Sequence, residues 1–264
     1  MNLTSYNTVI RISTICLIFM LSCSASPKRT GPSVSLLELH NRIDYIQKQN
    51  DSLKYFSADG FFIYKDKKMD LNLGMKVKYD KTSKFSRILF FNNIDNSVWG
   101  DLVVFKNNVS LYFPTKKTLY KGKIDNFNLY PFTRVNIQLS EILKLAFAKV
   151  YFINNFKKAG ARDVGKYFLL YIKNSELWQK LYFEKKTLNI SKIQIYKKNK
   201  EKALLRYAYY KLINGNNISM RSELHMRKRG LRVILWYSKV SFKYRYKTGD
   251  EILNVPVDII IHNN

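Results

Sequence analysis

From Leu71 onward, apolar side chains keep returning at every second position. Leu71, Leu73, Met75, Val77 and Tyr79 alternate with Asn72, Gly74, Lys76, Lys78 and Asp80. Successive side chains of a strand point to opposite faces, so this pattern makes a strand with one dry face and one wet face. The alternation returns at Ile218, Met220, Leu224 and Met226, set against Ser219, Arg221, Glu223, His225 and Arg227, and again at Val255, Val257, Ile259 and Ile261. Between them lie apolar runs at 85–91, 98–105, 109–113, 167–172, 181–183, 193–196, 203–212 and 231–246. Turn clusters such as Asn107-Asn108, Asn214-Gly215-Asn216 and Arg229-Gly230 bound them, because these residues tolerate the backbone of tight reversals. The pattern predicts about eleven strands. In 231–246 the apolar parity slips from odd (Leu231, Val233, Leu235, Tyr237) to even (Val240, Phe242, Tyr244, Tyr246), which predicts a bulge or bend near Ser238-Lys239.

Only two stretches read as helix. Leu36, Leu39, Ile43 and Ile46 form one amphipathic stripe, and Leu139, Ile142, Leu143, Ala146, Phe147 and Val150 a second, with Gly160 beyond as a stop. Two helices cannot cover the outside of so large a sheet, so they are expected to plug its concave side. The expected fold is mainly β: a single strongly curved antiparallel sheet, an incomplete β-barrel, with the N-terminal and mid-chain helices as a lid. About eleven strands enclose more room than the roughly eight that side chains alone fill. An apolar cavity is therefore expected, with Leu139, Ile142, Leu143, Phe147, Trp99 and Trp236 as lid and cavity candidates. The sequence has no internal repeat and no second composition regime, so one domain is expected over 34–264.

The first 33 residues carry a different signal. Ile12 to Ser22 is an apolar run preceded by Arg11, too short for the roughly 20 residues that span a bilayer and of the right size for a signal-peptide core. It ends in Met20-Leu21-Ser22-Cys23, which resembles the lipobox of bacterial lipoproteins. Residues 1–22 are then expected to leave as a signal peptide, and Cys23 to become the lipidated N-terminus. Cys16 would leave with the leader, so the remaining Cys23 has no disulfide partner. Residues 24–33, rich in Ser, Pro and Gly, read as a flexible tether. An ordinary secretory signal is the bland alternative.

Charge and chemistry narrow the function. The 264 residues hold 46 Lys and Arg against 19 Asp and Glu, a formal net charge of +27, which attracts polyanions or acidic head groups. Lys116-Lys117, Lys157-Lys158, Lys185-Lys186, Lys197-Lys198 and Arg227-Lys228-Arg229 are the densest clusters. Export makes nucleic acid a poor partner. His40, His225 and His262 lack metal-ligand spacing and read as surface residues. No nucleophile elbow, phosphate loop or dinucleotide fingerprint occurs, so no catalytic residue, metal or cofactor is expected, and the chain does not read as an enzyme.

The order of parts resembles a known family. A lipobox, a helix, a strand beginning Phe56-Ser57-Ala58-Asp59-Gly60, then residues 87–100, Val109-Ser110-Leu111-Tyr112-Phe113-Pro114, Tyr120-Lys121-Gly122, Pro131-Phe132 and Leu139-Ser140-Glu141-Ile142-Leu143 follow the pattern of the bacterial LolA/LolB-like lipoprotein carriers, and of their outer-membrane receptors above all. The resemblance implies a lipid-anchored protein of the outer membrane, facing the periplasm, that takes up lipoprotein acyl chains, with a periplasmic lipoprotein chaperone as a candidate partner, and inserts the lipoproteins into the membrane. It also implies a turn with a protruding apolar residue; here that is Ile94, in Asn92-Asn93-Ile94-Asp95-Asn96, where the receptor has a Leu. An inward-turned Ile94 at a strand end is the alternative. Two functions stay open: a carrier with an apolar cavity, and a surface or periplasmic lipoprotein whose basic sheet binds a polyanionic glycan or acidic lipid around a solid core.

Overall fold

Short polar turns send this chain back on itself strand after strand. The computed structural model describes residues 36–130, 138–256 and 260–263. The expected signal peptide, Cys23, the tether, Pro131-Phe132, Val257 and Ile259 lie outside the described residues. After α1 (Leu36–Ser52) come β1 (Tyr55–Lys65), β2 (Asp70–Asp80), β3 (Phe85–Asn92), β4 (Val98–Phe105), β5 (Asn108–Phe113) and β6 (Thr118–Lys123). Then α2 (Leu139–Ala146) precedes β7 (Lys157–Val164), β8 (Tyr167–Lys173), β9 (Leu177–Glu184), β10 (Ile190–Lys197), β11 (Lys200–Ile213), β12 (Asn216–Met226), β13 (Leu231–Ser241) and β14 (Ile260–Asn263).

All fourteen strands join one curved, open sheet in the order β14-β6-β5-β4-β3-β2-β1-β13-β12-β11-β10-β9-β8-β7. Two hairpin ladders, β1 to β6 and β7 to β13, make up thirteen of them and join where β1 pairs antiparallel with β13. The alternation pointed to fewer strands. It passed over β1, where Phe61, Phe62 and Ile63 put apolar residues on both faces, and the short, polar β6. It also passed over β7, an edge strand exposed along most of its length. The wholly antiparallel expectation needs correction as well, since β14 runs parallel to β6.

The expected bulge is present. Asp59 pairs with Lys239 and Gly60 with Tyr237, so Ser238 is the extra residue, and its hydroxyl donates to the Asp59 carbonyl at 3.1 Å. Gly60 lies against the partner backbone there: a Cβ on it would stand 2.1 Å from the Trp236 carbonyl oxygen.

The concave side holds the core, with Phe56, Met75, Leu170, Leu181, Phe183 and Ile193 fully buried. On α1 the stripe of Leu39, Ile43 and Ile46 is buried, and Arg42 donates to the Leu188 carbonyl at 3.1 Å and to Asn189 Oδ1 at 3.2 Å. Lys158 of β7 pairs with Asp44 of α1 at 2.6 Å.

After Ser241 the chain leaves the sheet, so 242–246 does not extend β13 as its alternation implied. Instead it crosses the convex face as a strap. Tyr246 stacks on Phe105 with centroids 5.5 Å apart and packs against Phe85 at 5.2 Å. Beneath it Arg87 grips Asp101 at 2.9 and 2.5 Å and donates to the Asp250 carbonyl at 3.1 Å. Asp250 accepts from the Tyr244 hydroxyl at 2.6 Å and pairs with Lys78 at 3.2 Å. Burial alone would raise the Asp250 carboxyl, but the Tyr244 hydroxyl, the Lys247 amide and Lys78 outweigh it, so its pKa falls below the ordinary 3.8. A carboxylate whose folded pKa is depressed stabilises the fold above its unfolded pKa and loses that contribution as pH falls through the folded value. Amide exchange over 244–252 should therefore accelerate below about pH 4, ahead of exchange in β2 and β13. Protection of the strap that matches those strands down to about pH 2 would show that its carboxylates do not hold it.

Candidate apolar binding site

The second helix divides the concave interior. Leu139 donates its amide to the Phe127 carbonyl at 3.0 Å, which fixes the start of α2. At its other end, the buried Tyr237 hydroxyl of β13 donates to the Leu145 carbonyl at 3.0 Å, satisfying one of the acceptors a helix end leaves open. Burial also pushes the Tyr237 hydroxyl well above its usual pKa, so it stays a donor. The following segment is stitched to its surroundings too. Tyr151 donates its amide to the Tyr207 hydroxyl at 3.1 Å, Ile153 to Gln179 Oε1 at 3.3 Å, and Asn50 of α1 exchanges two bonds with Val150 at 2.8 and 3.2 Å.

Two apolar chambers result, and Ile142 lines both. The first, about 180 Å³, lies between α2 and the inner faces of β1 to β6, with Phe62, Phe90, Trp99, Leu111, Phe113 and Leu139 in its wall and Lys116 among its lining residues. Its aromatics hold one another: Trp99 meets Phe113 edge-on at 5.2 Å and Phe90 edge-on at 6.4 Å, arrangements that favour rigid walls. The second, about 170 Å³, lies between α2 and β9 to β12, with Leu145, Ile195, Leu205, Leu224 and Met226 in its wall and Lys202 among its lining residues. Such walls can shelter apolar chains. Both chambers sit toward the end of the sheet formed by the turns 66–69, 93–97, 114–117, 198–199 and 227–230, since Met69, Trp99, Lys116, Lys202 and Met226 lie within a few residues of them.

No family model matches the sequence, and no curated protein matches it by sequence. Solved structures do. A putative outer membrane lipoprotein-sorting protein domain from Vibrio parahaemolyticus superposes with a TM-score of 0.57 at 14% identity, over 80% of this chain and 94% of that one. A DUF1329 family protein from Desulfovibrio piger gives 0.55 at 15% identity over 80% and 94%. A LolA superfamily protein from Nitrosomonas europaea gives 0.51 at 11% identity over 77% and 94%. The chain has the LolA-type fold.

In this LolA-type sheet the candidate residues separate. Trp99, Leu139 and Ile142 line the chambers. Leu143 and Phe147 are buried on the other side of α2, where Phe147 stacks on Tyr79 at 4.4 Å beside a wider recess lined by Lys81, Lys84, Lys144 and Lys149. Burial, with Lys81 and Lys144 close by, holds the Lys149 ammonium below the usual lysine range. Trp236 needs correction. Its neighbour Tyr237 points inward to α2, so Trp236 lies on the convex face, 43% exposed, stacked on Tyr209. Apolar residues on both faces of β13 hid this. Ile94 is 92% exposed at the tip of its turn. Side chains brace the turn: Asn92 Oδ1 accepts from the Ile94 amide at 2.9 Å and Asp95 Oδ1 from the Ser97 amide at 2.9 Å.

The histidines differ from expectation in part. His262 stacks on Tyr120 at 4.9 Å. His225 is bonded to the buried Glu223, which Arg232 also contacts at 3.0 Å and Arg221 at 3.4 Å. His40 is half-buried, its Nε2 enclosed with no hydrogen-bond partner among the described residues. Among the described residues no group of three or more His, Cys, Asp or Glu is placed to hold a metal ion.

Proposed function

We propose that this chain is an envelope lipoprotein that shelters the acyl chains of other lipoproteins and inserts them into the outer membrane, anchored there through Cys23. One observation carries the reading: two apolar chambers divided by Ile142 lie toward the same end of the sheet as the exposed Ile94 turn. Acyl chains lose about 0.8 kcal/mol per methylene left in water, so cargo crossing an aqueous space needs such a refuge. Release to a bilayer then needs no covalent step, because a membrane that binds the chains better takes them, tenfold per ~1.4 kcal/mol. The likeness to a lipoprotein-sorting domain supports the assignment. Lys116-Lys117, Lys197-Lys198 and Arg227-Lys228-Arg229 cluster at the Ile94 end, where each cation near anionic head groups is worth about 1 kcal/mol.

Replacing Ile94 with Glu tests the docking turn. Acyl-probe uptake should stay at the wild-type level while transfer of a bound lipoprotein to vesicles falls roughly tenfold, the cost of about 1.4 kcal/mol at the insertion step. Unchanged transfer would remove Ile94 from the mechanism.

A polyanion-binding role rests on another feature. On the convex face of β8 to β10, Trp178 stacks on Tyr196 at 4.0 Å, Lys180 sits 5.1 Å over each ring, and Lys192 lies 3.7 Å over Tyr182. Glycan binding that disappears at modest salt, with no acyl-probe uptake, would favour this reading.

A further inference from the structure

The convex face is not evenly wet. Across neighbouring strands, register places Trp236 of β13 beside Phe61 of β1, Phe61 beside Gly74 of β2, Gly74 beside Phe91 of β3, and Phe91 beside Val98 of β4. All five positions face outward, because Tyr237, Phe62 and Phe90 point to the interior. The gap at Gly74 is filled by the Phe91 ring, whose Cε2 would stand 2.1 Å from a Cβ there. Tyr209 extends the row by stacking on Trp236 at 5.8 Å and 6°, and it does so with a positive φ of 56° inside β11, a conformation that is strained for a bulky residue. Exposure is 61% for Tyr209, 43% for Trp236, 44% for Phe61 and 36% for Val98. The row spans roughly 25–30 Å at the usual spacing of strands, and it runs into the Ile94 turn directly above Phe91 and Val98.

An apolar row of this kind, exposed at both ends and closed over Gly74 by the Phe91 ring, marks a contact surface. We infer that this band is a membrane-contact surface which lays the convex face of β13 and β1 to β4 onto a bilayer rich in anionic lipid. The inference rests on the Ile94 reading above and extends it from one tip to a face. Trp and Tyr are suited to the head-group layer, with an apolar body and a polar end. That layer is about 5–10 Å deep for a shallowly seated surface, which admits a convex one. The band's own positions carry no carboxylate, while Lys76 lies 5.7 Å from the Phe91 ring and Arg221, which also contacts Glu223 at 3.4 Å, lies 5.4 Å over Trp236, cations within the same face. A second copy of the chain is a poor occupant, since pairing would bring two strongly basic chains together.

The test uses the full chain carrying Trp99→Phe and Trp178→Phe, so that Trp236 is the one indole left. On vesicles of phosphatidylethanolamine with about 30% phosphatidylglycerol, a typical anionic content, its emission should shift to the blue and be quenched by lipids brominated near the head group. Phe61→Ser with Trp236→Ser in the otherwise native chain should weaken vesicle binding on the order of tenfold, with acyl-probe uptake and thermal midpoint unchanged. Tyr209→Ser is a milder variant that should act in the same direction. Vesicle binding unaffected by these changes, Trp236 emission that does not respond to vesicles, or self-association that these variants abolish would overturn the inference. Loss of acyl-probe uptake in the native chain would instead overturn the carrier reading, and the two failures remain distinct.

Discussion

Replacing Ile142 with Glu is expected to weaken binding of a fluorescent fatty-acyl probe by at least about tenfold, while the helix and the sheet keep their stability. The side chain lies in the wall of both chambers, so one substitution removes apolar contact from each. An aliphatic side chain of this size contributes roughly 1.5–3 kcal/mol when buried against a ligand, and a carboxylate facing a hydrocarbon chain adds a desolvation cost. About 1.4 kcal/mol already gives the tenfold loss. Because Ile142 is only half-buried in the free protein and Glu is a good helix former, the fold should tolerate the change. Probe titration alongside a circular-dichroism melt separates the two quantities. Undiminished probe binding in a folded Ile142→Glu chain would place the acyl site elsewhere. The Ile94→Glu chain is the natural control, since Ile94 touches neither chamber.

The largest stability effect is expected at Gly60. Its missing Cβ makes room for the Trp236 carbonyl oxygen at the bulge, 2.1 Å from where that carbon would lie. Overpacking usually costs about 1–3 kcal/mol, and a backbone oxygen held in a sheet gives way less easily than a side chain. Gly60→Ala should therefore destabilise the fold by roughly 3 kcal/mol, a fall of about 6–12 °C in Tm for a domain of this size. Gly74→Ala meets the Phe91 ring at a similar distance, but that ring can swing outward on the convex face, so its cost should be about 1 kcal/mol. Thermal or urea unfolding of both variants checks the order. Equal losses would mean that the bulge relaxes as freely as a ring rotates.

Much of the fold can be read from alternation, and the reasons for the exceptions are local. β2 and β12 carry mostly polar residues on one side, so Leu71 to Tyr79 and Ile218 to Met226 declare their dry faces. β1 and β13 sit at the centre of the sheet and carry apolar residues outward as well, Phe61 and Ile63 on one, Ile234 and Trp236 on the other. Period two is blurred there, and Trp236, apolar but at an even position next to the inward Tyr237, faces outward. The edge strand β7 buries too little for any pattern to form. On α2 the spacing of Leu139, Ile142, Leu143 and Phe147 identifies a buried stripe, but not that its residues divide between the chambers and the Tyr79 side; that division depends on sheet curvature, which no local pattern encodes. The strap over 242–252 is hidden in the sequence because Phe242, Tyr244 and Tyr246 alternate like a strand, whereas their partners Phe56, Phe85, Phe105 and Asp80 are distant in sequence. The exposed Ile94 came from family resemblance, since the residues alone allowed either orientation.

The way the sheet is joined has a kinetic consequence. Every pairing in either ladder links strands adjacent in sequence, so each half can zip up hairpin by hairpin at a small loop-closure cost. The union of β1 with β13 instead spans most of the chain, and contacts of such high sequence separation form slowly. Two preassembled sheets that dock late would show a refolding phase sensitive to Gly60 and Ser238 and indifferent to changes within the outer hairpins. Until that docking, each half would display an unpaired central strand, and the time spent in that state governs how readily the newborn chain sticks to its neighbours.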